Sequence, residues 1–139
     1  MKTIFAVLIF FITISLYAQD NDKWFHLEGV SNPEYKVYLN ETNMDYVPGE
    51  TISGNLKYVY SSDSLLSYSI SNVKFLVSKD AYQILSTRNY FINKNGRKTE
   101  QFSKSINPSS LPLIPGSEMS VIYQGVYIQA VSNYRPKSK

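Results

Sequence analysis

Cysteine is absent from the 139-residue chain, and that one absence removes several chemistries. There is no disulfide framework, no thiolate zinc site, no cysteine nucleophile and no cysteine to carry a lipid, so the fold rests on packing alone. Histidine is nearly absent too. With His26 alone, no His-x-x-x-His metal pair exists, and no Gly-x-Ser-x-Gly elbow occurs, which gives hydrolase and zinc-enzyme readings little support. The eleven carboxylates are scattered at turns and strand ends, with no spacing that singles out a catalytic pair. A non-enzymatic protein with no cofactor is expected. Charge is sparse: 18% of residues are charged and the net formal charge is +3, without the clustered basic run of a nucleic-acid binder. Nor does any segment beyond the N-terminal region show a clear helical stripe of apolar residues.

What is present begins with a leader. Lys2 precedes an almost unbroken apolar run from Ile4 to Ile14, followed by Ser15-Leu16-Tyr17-Ala18, the layout of a secretory signal peptide. Its apolar core is about half the ~20 residues that a membrane-spanning helix needs. Cleavage after Ala18 would leave residues 19–139, a chain of single-domain size with a charge near +2 and no transmembrane segment. Export together with the lack of cysteine points to a secreted or periplasmic protein of a bacterial cell envelope.

The mature chain is patterned for strands. Between Tyr46 and Tyr60, Pro48-Gly49 predicts a turn, and beyond Glu50 the residues Ile52, Leu56, Tyr58 and Tyr60 recur on one face against Ser53, Asn55 and Lys57, with Gly54 a gap and Val59 a misfit. Tyr35 to Asn40 alternates in the same way, and Val73, Phe75 and Val77 mark another strand within Tyr68 to Val77. Short strands are expected at Tyr82–Leu85 and Asn89–Asn93. Asn95-Gly96 then predicts a tight hairpin, with Lys98 to Ile106 returning. Three prolines in Asn107 to Pro115 take the chain out of the sheet. Pro115-Gly116 repeats the earlier turn device ahead of Met119 to Val131, a β-prone run whose alternation changes phase at Gly125, as at a bulge. Serine-rich Ser61 to Ser67 is a loop. Residues 19–33 form a lead-in segment, 34–131 the domain and 132–139 a basic tail. The expectation is an all-β fold, a single antiparallel sandwich of about seven strands.

A proline-glycine turn before an early long strand, a mid-chain strand at Val73 to Val77, and Leu113-Ile114-Pro115-Gly116-Ser117 before a final strand together resemble the layout of bacterial immunoglobulin-like modules, the CARDB type among them. The Tyr-x-Pro-Gly-Glu run is also similar to that of arrestin-like and macroglobulin-type sandwiches. This resemblance implies an immunoglobulin-like sandwich with a binding or structural role, and it transfers no functional residues.

Aromatic residues are the remaining signal, 14% of the chain with twelve tyrosines. Most suit strand-face packing. By parity Tyr38 and Tyr127 fall on wet faces, and Trp24 sits at the domain edge; all three are candidate binding residues. Pro112 and Leu113, in the proline-rich loop, are candidates for a protein contact. The leading expectation is a module that binds another protein. A polysaccharide-binding module is the alternative, favoured by a continuous strip of exposed tyrosines or Trp24 on one face, and a small sandwich-type proteinase inhibitor is the third. The oxygen-rich stretches Asp20-Asn21-Asp22 and Glu41 to Asp45 lack the spacing of a calcium loop. Asn40-Glu41-Thr42 matches the N-glycosylation pattern.

Overall fold

A computed structural model describes residues 22–61 and 66–137. The leader and its cleavage site lie outside the described residues, as do Asp20, Asn21 and most of the serine-rich loop. The chain is mostly antiparallel β-sheet: β1 (Trp24–His26), β2 (Tyr35–Asn40), β3 (Asp45–Val47), β4 (Thr51–Tyr60), β5 (Leu66–Leu76), β6 (Ala81–Ile92), β7 (Lys98–Lys104) and β8 (Leu111–Pro112), followed by one helix, α1 (Glu118–Asn133). Across the sheet the order is β1-β2-β4-β5-β6-β7, with β3 on β4 beside β2 and β8 on β6 beside β7. The segment read as a lead-in therefore contributes a strand.

The central strands follow from the alternation. In β4, Ile52, Gly54 and Leu56 are buried on one face, and the side chains of Leu39 and Met44 fill the gap at Gly54, at 3.6 and 3.7 Å from where a Cβ would stand. Val59 points the other way and pairs with Lys36 and Tyr68. The Pro48-Gly49 turn forms as its residues dictate: Gly49 takes φ 74°, and the Glu50 N–H donates to the Val47 carbonyl at 3.0 Å, so β3 and β4 make a hairpin. At the other expected hairpin only Gly96 has positive φ. That connection is longer than a two-residue turn, spanning Asn93 to Arg97, and the Asn93 side chain accepts from the Asn95 and Arg97 N–H groups. The two short strands expected between Tyr82 and Asn93 are one, β6, in which the register slips between Ile84 and Ser86. Leu85 is the extra residue of a bulge there.

Two expectations are corrected. Met119 to Val131 lies in a helix rather than in a strand bulged at Gly125, and the described residues form one sheet backed by that helix in place of the two sheets of a seven-stranded sandwich. The reason begins at Ser117. After the Pro115-Gly116 turn, Ser117 is extended and its hydroxyl accepts from the Ser120 N–H, which makes it an N-cap, with Glu118 in the first turn. Met119, Ile122, Tyr123, Val126 and Ala130 then fall on one helical face and pack on Val37, Leu39, Ile52, Leu56, Val73 and Phe75. The stripe is hard to see because the outer side of α1 is apolar as well, with Tyr127, Ile128 and Val131 exposed. Gly125 serves packing: a Cβ there would stand 2.9 Å from Leu27 Cδ2, so the glycine lets the chain after β1 lie against the helix.

Candidate functional site

Covering one face of a sheet leaves the other to solvent, and here the two faces differ in charge. Cross-strand partners share a face, and the register places Lys36, Lys57, Lys74, Arg88, Lys98 and Lys104 on the side away from α1, against Asp45 and Glu100. Among the described residues, no strand position facing the α1 side carries a charge. Composition alone showed a chain with dispersed charge. Strand parity concentrates it.

Aromatic rings are interleaved with these cations. Tyr68 and Tyr90, paired across β5 and β6, stack with centroids 4.4 Å apart and planes 21° apart. The Lys57 ammonium lies 5.3 Å from the Trp24 ring centre and 4.8 Å from that of Tyr68. Lys98 sits 4.4 Å from the Tyr90 ring and 5.3 Å from Tyr68, and its hydrogen bond with Tyr68 is the main cause of an ammonium pKa above the ordinary lysine value. Farther along, Arg88 lies 5.0 Å from the Phe102 ring and pairs with Glu100 at 3.1 Å. The ladder crosses β1, β2, β4, β5, β6 and β7, about 24 Å at the usual strand spacing. Within it a depression of about 260 Å³ is lined by Asn55, Asn72, Ile70, Arg88 and Phe102 among others. Cations held over ring faces are attracted by the ring quadrupole while their outer sides stay wet.

Two of the candidates from the sequence belong to this surface. Trp24 is at its β1 end, and Tyr38 is half-buried beside it with its ring 5.0 Å from that of His26. The other three lie elsewhere. Tyr127 is exposed on α1 rather than on the wet face of a strand, with its ring 6.0 Å from Tyr123. Pro112 pairs with Ala81 at a sheet edge, and Leu113 turns inward onto the core. Their loop does not stand free: the Leu113 N–H donates to the Asp80 carbonyl at 2.8 Å, and the Gln83 amide donates to the Pro108 carbonyl and the Ser110 hydroxyl. Tyr68, Tyr90, Phe102, Lys57, Lys98 and Arg88 were not singled out from the sequence. Tyr68 was within reach, since it alternates against Val73 and Phe75, but matching it to Tyr90 requires the bulges of β5 and β6.

Other candidate sites are quieter. Asn40 is 1% exposed and its side-chain oxygen accepts from the Thr42 and Asn43 N–H groups, so the glycosylation pattern sits on a side chain closed into its own loop. Among the described residues no three His, Asp or Glu side chains gather where they could hold one metal ion, and no helix is long and apolar enough to cross a membrane. Comparison of the chain with protein-family models, curated proteins and solved structures finds no match. The functional reading rests on this geometry.

Proposed function

We propose that the chain is a non-enzymatic binding protein of the bacterial cell envelope, exported by its leader, whose open sheet face docks an acidic surface of a protein partner. The carrying observation is the ladder Trp24, Lys57, Tyr68, Lys98, Tyr90 on a face whose described strand positions carry six cations and two acids. Tyrosine, tryptophan and arginine are the residues that anchor protein interfaces, because a rigid ring buries much area at little entropic cost. Complementary charge adds orientation and a faster encounter.

A continuous strip of exposed tyrosines or Trp24 on one face was the condition that would favour a polysaccharide; Trp24, Tyr38, Tyr68 and Tyr90 do share this face, but all four are half-buried. Rings on this face also stand stacked on each other and under ammonium groups, so sugars would meet ring edges rather than open faces. The protein reading is preferred for that reason. Capture from an envelope extract by the mature chain, residues 19–139, tests it beside a panel of acidic polysaccharides. One stoichiometric protein partner, released by salt and lost in Lys57→Glu/Lys98→Glu, is expected. Retention on an acidic polysaccharide with no protein partner would transfer the face to the alternative.

A further inference from the structure

The α1 side of the sheet is not covered to its end. A helix of sixteen residues is about 24 Å long, and past its N-terminus the same face continues as a different surface. Here the apolar rows of the core give way to hydroxyls: Leu39 and Leu56 are followed across the sheet by Ser71 and Thr87, and Val37 by Tyr58, Ser69 and Asn89. Tyr35, Tyr58, Tyr60 and Met119 help to wall a depression of about 250 Å³ whose floor includes Val73 and Ile84.

A strand face left merely to solvent would carry lysine and glutamate, as the opposite face of these strands does. This one has no charge among its strand positions, and two of its serines are buried, Ser69 at 4% and Ser71 at 8% exposure. The hydroxyls are partly paired, Ser71 with Thr87 at 3.1 Å and Tyr60 with Ser69 at 3.4 Å, and each hydroxyl offers one donor and two acceptor sites. The part-exposed Tyr60, Thr87 and Asn89 therefore keep capacity to bond a guest, while Ser69 and Ser71 hold Tyr60 and Thr87 in place from below. The wall is braced: the Tyr35 hydroxyl donates to Glu118 Oε1, the Asn32 amide donates to the other carboxylate oxygen at 3.1 Å, and the Tyr35 ring meets Tyr58 and Tyr60 edge-on at 5.4 and 5.6 Å. Glu118 is thus engaged in the wall.

We infer that this cleft is a binding site for a neutral sugar ring. An uncharged array of hydroxyls and an amide, set between tyrosine rings and an apolar floor, matches a ligand with hydroxyls at its rim and C–H groups on its faces. The volume falls just under the ~300 Å³ lower end of drug-sized pockets, which suits a single ring. Charged glycans are disfavoured, since nothing in the cleft would pair their charge. The site lies on the opposite face from the proposed protein contact and stands independently of it.

The test is amide chemical-shift mapping of the mature chain with neutral hexoses, N-acetylhexosamines, deoxyhexoses and their disaccharides at about 10 mM, enough to detect millimolar affinity. Saturating shifts at Ser69, Ser71, Thr87 and Asn89 with at least one of these sugars are expected. Thr87→Val and Tyr60→Phe each remove a hydroxyl with little change of shape, and each should weaken binding about 2- to 10-fold, while Lys57→Glu on the far face leaves it unchanged. The retained dispersion of each variant's amide spectrum separates lost binding from lost fold. No shift with any neutral sugar, shifts confined to the open face, or affinity unchanged in both variants would overturn the inference.

Discussion

Single side chains in this protein often hold two environments together. Tyr35 packs on two other tyrosines and bonds Glu118 at the start of the helix, and its hydroxyl pKa is pushed up to about 12, first by burial and then by that carboxylate. Tyr58 is raised as well, again chiefly by burial. Folding favours the neutral phenol in both. Their contribution is complete below the ordinary tyrosine value of about 10; that of Tyr35 is lost as the pH climbs through about 12 and that of Tyr58 at still higher pH, because the unfolded chain releases those protons more readily. Urea midpoints measured from pH 8 upward should therefore hold level and then fall above about pH 10, with tyrosinate absorbance rising in parallel. A midpoint unchanged to pH 12 would contradict the assignment. Asn40 is a second case. Its buried side chain satisfies two loop N–H groups, so Asn40→Ala should cost about 1–3 kcal/mol in denaturant unfolding, and the native chain should stay unmodified there in a host that glycosylates this pattern.

At the level of elements, one turn device leads to two outcomes. Pro48-Gly49 and Pro115-Gly116 both place a glycine at positive φ, 74° and 79°, yet the first opens a strand and the second a helix. The difference lies in the residues downstream of each turn: alternation after Glu50, against Ser117 as N-cap and a stripe at Met119, Ile122, Tyr123, Val126 and Ala130. Ser117→Ala should destabilise the protein by about 1 kcal/mol, seen as a lower urea midpoint with an unchanged slope. Gly125→Val tests the close packing on Leu27. A side chain in that contact overpacks it, and a loss of about 1–3 kcal/mol is expected; a stabilised variant would show that the loop after β1 yields freely. The apolar outer side of α1 is why periodicity failed here. An amphipathic helix announces itself by contrast between its faces, and Tyr127, Ile128 and Val131 erase that contrast.

For the whole molecule, the consequence of one helix on one sheet is asymmetry. The covered face holds the core, and the open face gathers the cations of the strands. Binding to an acidic partner through that face should weaken steeply with added salt, since exposed charges are screened within ~10 Å at 0.1 M ionic strength. Affinity measured at low and high salt should therefore differ by an order of magnitude or more, and Lys57→Glu/Lys98→Glu should remove most of that dependence without altering the melting curve. Salt-independent binding would assign the interaction to another surface.

The central strands β2, β4 and β5, the returning strand β7, the Pro48-Gly49 turn, the chain's lack of thiol chemistry and the opposing sides of Tyr38 and Val37 were legible in the sequence, because period-two alternation and turn residues act over a few neighbouring positions. The short strands β1, β3 and β8 were not, being too brief to show alternation. The helix was legible only in part, since its cap is local but its stripe competes with apolar residues on the outside. Which cations share a face with which rings, and the cleft of hydroxyls beyond Met119, were settled by cross-strand register and by the bulge at Leu85. A bulge reverses the parity of every later residue in the strand. The contents of a face are therefore decided by pairing between distant segments, and only the tertiary structure holds that information.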